Sequence, residues 1–213
     1  MLTASIFVPL AGAIVLLALR RADEQTQRWV ATGIATVPLL LLLIVWTRFE
    51  GSGGFELIEQ APWIPSLGVA YKLGVDGMSL VLAAMSALIF AASTAYPADL
   101  RGRGHEYFAW MLFLEAVSLG VFLALDLFLF YVFFDLSLVG MYFLIGVWGH
   151  GNARRAALNF FLYTLAGSLV MLLAILALYL ATDPRTFDIP TLIASQPLAD
   201  SGLIGVLAFW GFA

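Results

Sequence analysis

Six apolar runs free of Lys and Arg, at residues 2–19, 29–46, 78–96, 107–125, 127–148 and 156–181, take up most of the 213 residues of this chain. A helix needs roughly 20 predominantly apolar residues to cross a hydrocarbon core of roughly 30 Å, and each run approaches or exceeds that length. Backbone amides inside lipid find no water, so the runs must form helices, which satisfy their own hydrogen bonds. Charged residues are 11% of the chain and hydrophobic ones 62%, against about 25% and about 45–50% in soluble domains. So little charge cannot wet a globular surface. The expected fold is an all-α integral membrane protein, a polytopic helical bundle of six transmembrane helices. Residues 202–213 begin a further apolar segment too short to cross, read as an incomplete seventh helix.

Six spans and their loops leave no room for a soluble catalytic domain, so any activity must rest on intramembrane residues or on partners. The chain has no cysteine, which excludes disulfides, thiolate metal sites and cysteine-ligated iron–sulfur clusters. His105 and His150 both fall in predicted loops and form no spaced pair, so no metal site is expected. The net charge is −4 with no basic run, which excludes nucleic acid as a partner. The first basic residue, Arg20, follows the first apolar run instead of preceding it, so that run reads as a retained span and not a signal peptide.

The connections carry a charge bias. Loops one, three and five hold Arg20, Arg21, Arg28, Arg101, Arg103, Arg154 and Arg155, and loops two, four and six hold Arg48, Lys72 and Arg185. Cytoplasmic loops of membrane proteins are enriched in Lys and Arg, which puts the N-terminus on the positive, outer side. The second loop, rich in Gly and Pro, reads as a structured external segment. The loop over residues 182–201, with Pro184, Pro190 and Pro197, reads as holding one short interfacial helix. Asp126 is the only charge between the fourth and fifth runs, so a tight helical hairpin must turn there.

Two acidic residues lie near the middle of predicted spans, Glu115 in the fourth and Asp135 in the fifth. A charged side chain at that depth costs at least roughly 2.5–3.5 kcal/mol on insertion scales. No Lys or Arg lies inside the six runs to compensate it. Glu115 precedes the turn at Asp126 by 11 residues and Asp135 follows it by 9, so both sit roughly 14–16 Å from the turn, at similar depth. A carboxyl that gains and loses a proton at mid-membrane is what a proton relay needs. If the two share a face, burial and like charge would raise a pKa. The plainer alternative is a neutral carboxyl bonded to a backbone carbonyl or a serine, acting as packing glue. Asp76 and Asp126 sit at helix boundaries and read as a cap and a turn residue.

The stretch LGVFLALDLFLFYVFFDLSLVGMYFLIGVWGH, residues 119–150, resembles the fourth-to-fifth helix region of the antiporter-like chain M of NADH-quinone oxidoreductase, the proton-translocating respiratory complex I. NFFLYTLAGSLVMLLAILALY, residues 159–179, and GVDGMSL, residues 74–80, extend the likeness; residues 2–73 match in pattern only. The resemblance implies a fold of inverted helical repeats, each with a broken helix lined by ionisable residues. It implies residues 1–106 as an N-terminal three-helix region with an external loop, and 107–213 as the start of the first antiporter-like repeat. A family glutamate, in a phrase similar to FYVFWE, pairs with a lysine on the seventh helix, and Asp135 matches that glutamate.

The function that the resemblance implies is proton translocation coupled to electron transfer in other subunits. Asp135 and Glu115 would carry proton transfer, and no cofactor is expected in this chain. FMN, iron–sulfur clusters and quinone are expected in partner subunits, with neighbouring antiporter-like chains and lipids as partners and a bacterial-type plasma membrane as the location. The sequence departs from the family pattern in four places. Asp135 replaces Glu, Gly140 stands where Pro is common, Asn159 stands where Lys is usual, and residues 209–213 stop short of the seventh-helix lysine, so a continuation or a second chain is expected. The rival readings are a subunit of a multi-subunit cation/proton antiporter or membrane hydrogenase, and a truncated, non-pumping scaffold chain.

Overall fold

The computed structural model describes residues 1–96, 100, 102–198 and 202–212. Arg101, counted in the loop bias, and Ala213 lie outside the described residues. In chain order the elements are α1 (Leu2–Ala18), α2 (Glu24–Arg48), β1 (Glu56–Ile64), β2 (Val69–Val75), α3 (Gly77–Ala95), α4 (Gly104–Leu123), α5 (Leu127–Trp148), α6 (Ala153–Ala181), α7 (Ile189–Ser195) and α8 (Leu203–Phe212). Among the described residues, α2 to α6 are long and apolar enough to cross a membrane, while α1 and α8 are apolar helices of 17 and 10 residues.

The second loop, expected as a structured segment, is an antiparallel hairpin of β1 and β2, so the helical bundle carries a two-stranded sheet. Ile58, Trp63, Val69, Tyr71 and Val75 favour strand, and Gly68, at φ 69°, supplies the left-handed turn between the strands. One expectation needs correction: His105 is not a loop residue. Helix α4 starts at Gly104, earlier than the apolar run, because helical hydrogen bonding continues through the polar interface. The short interfacial helix expected after the sixth span is α7.

Helix α4 is the axis of the bundle and packs on α1, α2, α3 and α5. Two apolar clusters surround it. Toward the hairpin end, Leu119 and Leu123 of α4 pack with Leu2 and Ile6 of α1, Leu42 of α2 and Leu80 of α3. Toward the other end, Phe108 and Leu112 pack with Leu16 of α1 and with Ala31 and Ala35 of α2. Small residues let helix backbones approach closely where lipid offers no hydrophobic drive for association. Helix α6 packs on α5 and α8, and its outward face is Leu162, Tyr163, Leu169 and Leu173, all exposed. Such a surface is stable only against lipid or apolar protein.

The ends of the helices are closed by carboxylates. Asp76 and Ser79 form a reciprocal capping box at the start of α3. Glu59, projecting from β1, accepts from Leu2 N at 3.0 Å and Thr3 N at 2.8 Å, capping α1 from a strand, and it also pairs with the Met1 ammonium. Burial opposes its ionisation, yet the ammonium and Thr3 hold its pKa at about 2. Asp126, 1% exposed, caps α5 by accepting from Phe128 N at 2.9 Å and Leu129 N at 3.1 Å. The same carboxylate accepts from Ala70 N of β2 at 3.0 Å. Around it Leu125 N donates to Lys72 O, Leu127 N to Phe187 O, and Ile189 N to Leu125 O. The turn between α4 and α5 is thus an extended segment clamped between the hairpin and the chain entering α7.

Asp126→Ala removes three backbone acceptor contacts at once from a buried site. Stability is expected to fall by about 3 kcal/mol, measured by denaturant unfolding of the purified protein in detergent. A loss below about 0.5 kcal/mol, the range of ordinary surface changes, would show that the clamp is not carried by this side chain.

Candidate functional site: two mid-membrane carboxyls

The α4–α5 turn sets the depth of Glu115 and Asp135, and helix packing sets where they face. Phe113 and Leu114 of α4 lie against Gly140 of α5, where an added Cβ would sit 3.0 Å from Leu114 Cδ1. The Phe133 ring covers Gly120, whose Cβ would sit 2.5 Å from it. These contacts define the α4–α5 seam. They also give Gly140 a role, since the missing side chain lets α4 close on α5.

Glu115 is not on that seam. It shares the stripe of Phe108, Leu112 and Leu119, at helical spacings of three and four, which faces α1, α2 and α3. It sits between the two apolar clusters, is 0% exposed, and neither carboxyl oxygen has a hydrogen-bond partner. Asp135 faces the opposite way, toward α6. One helical turn before it, Tyr131 interacts through its phenol with both the Asp135 carboxyl and Ser168 of α6. Two turns after it, Tyr142 packs on Phe161 of α6 with ring centroids 5.6 Å apart. Asp135 Oδ1 is buried and has no hydrogen-bond partner.

The two acids therefore do not share a face. The hairpin gives the carboxyls similar depth, but α4 and α5 present them to different neighbours, so they do not form a carboxyl pair. The residues that gather around Asp135 are Tyr131 and Ser168. Sequence reasoning missed both, although a Tyr four residues before a buried acid and a Ser within the sixth apolar run were visible signals. Asp76 and Asp126 are caps, as expected. The Phe128 ring lies 6.0 Å from Trp63 of the hairpin and 5.9 Å from Phe187, so it anchors the loops.

Near the hairpin, Lys72 pairs with Asp188 at 2.5 Å. Burial raises the pKa of Asp188, but Lys72 and Thr191 outweigh it and hold the carboxyl below its usual range. This pair ties β2 to the N-cap of α7.

Residues 124–212 match the family described as NADH:quinone oxidoreductase/Mrp antiporter, transmembrane. That match begins at the α4–α5 turn and includes Asp135, Tyr131 and Ser168. Over residues 124–212 this chain carries the transmembrane segment of that antiporter-like family. A curated relative from Rhodobacter capsulatus, NADH-quinone oxidoreductase subunit M, is 38% identical over 205 residues, covering 93% of this chain and 39% of the relative. Among solved structures, respiratory complex I from Thermus thermophilus with bound NADH has a chain that superposes with TM-score 0.83 at 29% identity, covering 100% of this chain and 42% of that one. The Mrp complex from Dietzia matches with TM-score 0.82 at 22% identity over 97% of this chain and 22% of that one, a likeness of fold. The chain thus spans about two fifths of the length of the subunit M relative.

Glu115 has no hydrogen bond to lose, so Glu115→Leu is expected to raise stability by about 1 kcal/mol, because an apolar side chain of similar size removes an unpartnered buried carboxyl. Denaturant unfolding in detergent measures it. A loss of stability of comparable size would mean that Glu115 has a bonded partner.

Proposed function

We propose that this chain forms the N-terminal part of a proton-translocating membrane-arm subunit of an NADH:quinone oxidoreductase, with Asp135 as its proton-linked acid. The observation that carries the reading is Asp135 itself, near the middle of α5, facing α6, with Oδ1 buried and unbonded. An ionised carboxylate at that depth without a cation is expensive. Asp135 therefore stays protonated or meets a cation from another helix or chain, and alternation between those states moves a proton. The family resemblance supplies such a cation as a lysine on the seventh helix. Tyr131 lies near both the Asp135 carboxyl and Ser168 on α6, which offers a proton a route across the α5–α6 seam. Glu115 acts separately, toward α1–α3.

In this reading electron transfer takes place in partner subunits that hold FMN, iron–sulfur clusters and quinone, and this chain contributes only proton chemistry. Its partners are other membrane subunits, neighbouring antiporter-like chains among them, and lipids. The membrane is a bacterial-type plasma membrane with the N-terminus and the β1–β2 hairpin outside. The loop bias supports that orientation. The connections are grouped as that alternation requires: Met1, Glu59, Asp126 and Asp188 meet at one pole, while Leu100 accepts from Trp148 Nε1 at the other. The second reading, a subunit of a cation/proton antiporter, rests on the family match, whose description includes Mrp antiporters.

Two measurements test this. Asp135→Asn keeps hydrogen-bonding capacity but not the charge, so proton translocation by the whole complex in sealed vesicles is expected to fall at least about tenfold, the effect expected of losing a positioned proton carrier. Assembly should remain near normal, Asp135→Glu should be tolerated, and Glu115→Gln should do less harm. Normal pumping by a fully assembled Asp135→Asn complex would return the residue to a structural role. For orientation, the absence of native Cys allows an impermeant thiol label on Gly54→Cys to react from the outside. Labelling only from the cytoplasm would reverse the topology.

A further inference from the structure

The pole opposite the hairpin holds a cavity of ≈ 590 Å³ between the starts of α4 and α6 and the end of α5. Arg103, Arg154 and Arg155 line it together with Gly146, Gly149 and Gly151. The charge converges from connections about 50 residues apart in sequence. Arg103 is paired with Glu106 and lies over the Trp148 ring, 5.6 Å from its centroid. Arg154 and Arg155 are exposed, and among the described residues neither guanidinium has an ion pair or hydrogen bond. Asn152, at the N-cap of α6, makes no side-chain cap, so the first amides of α6 and its dipole add to the same positive field.

A second, apolar hollow lies further along the same side of α5, beyond a stacked pair of rings. Gly146, Phe143 and Val139 form one stripe of α5 at helical spacing. Gly146 lines the basic cavity, and Phe143 stacks on Trp110 of α4 with centroids 4.4 Å apart and planes 15° apart. Trp110, Phe113 and Val139 then line an apolar hollow of ≈ 430 Å³ with Leu10 and Ile14 of α1. Glu106, the partner of Arg103, stands at its rim. Free phosphate would use only the basic end. A molecule that uses both has an anionic head and a hydrocarbon tail.

We infer that this surface binds an anionic phospholipid, with its phosphate held by Arg103, Arg154 and Arg155 and an acyl chain along the Trp110–Phe143 groove. Arg presents a planar fork of donors suited to phosphate oxygens, and a basic cluster at the membrane surface attracts anionic lipid. The site is separate from Asp135, and its test does not depend on proton pumping.

The test is native mass spectrometry of the whole protein, purified within its membrane assembly and exchanged into detergent with equal phosphatidylglycerol and phosphatidylcholine. Wild type is expected to retain phosphatidylglycerol in preference to phosphatidylcholine. Arg154→Gln combined with Arg155→Gln is expected to lower that retention about tenfold, while Arg154→Lys with Arg155→Lys keeps most of it. Arg20→Gln with Arg21→Gln, at the same pole but outside the cavity, should change nothing and thereby distinguishes the site from the general field. Val139→Trp, which fills the groove, should also lower retention. Undiminished retention in the Arg154→Gln, Arg155→Gln protein would overturn the site. Displacement of the lipid by excess inorganic phosphate would overturn the lipid and leave a free-anion site, and full retention in Val139→Trp would overturn the acyl-chain groove.

Discussion

The bundle depends on a buried carboxylate where two helices must reverse with little water at hand. At the α4–α5 turn the chain leaves helical geometry, and the freed amides need partners inside the protein. Asp126 supplies them for Phe128 and Leu129 and also binds Ala70 of the hairpin. The remaining turn groups pair with Lys72, Phe187 and Ile189. One side chain thus couples the fourth and fifth helices, the β1–β2 hairpin and the entry to α7. The Lys72–Asp188 pair closes the same assembly from outside.

That clamp sets the geometry of the functional region. Because the turn is short and held, α4 and α5 run side by side, and Glu115 and Asp135 come to similar depth. Their separation by face arises from the close seam that Gly120 and Gly140 permit. Helix α4 uses its other side to meet α1–α3, which buries Glu115 completely, and α5 uses its other side to meet α6, which brings Tyr131 and Ser168 to Asp135. One hairpin therefore carries two buried acids into two different environments.

Much of this was legible in the residues. The apolar runs located the helices to within a few residues, and residues 127–148 matched α5 at both ends, because Asp126 before it and Gly149 after it are strong boundary residues. Asp76 was legible as a cap from its position alone. The hairpin was not, since short strands with bulges carry a weak periodic signal and turn-rich loops mask it. His105 was misplaced because apolar runs mark where lipid begins, while helices extend past that point into the interface. Tyr131 and Ser168 were visible but could not be joined to Asp135, because nothing in a single sequence states which faces of two helices meet.

The sequence by itself determined that the chain is a membrane bundle, which segments form its apolar helices, and that Glu115 and Asp135 lie near the middle of two of them. Those conclusions rest on the cost of charge and of bare backbone in hydrocarbon, which depends on composition and spacing alone. Only the tertiary structure decided that the two acids are separated, that Asp126 binds three segments distant in sequence, and that Arg103 joins Arg154 and Arg155 over one cavity. Each of these depends on helix rotation about its own axis, and that rotation is set by packing between helices, which no single helix records.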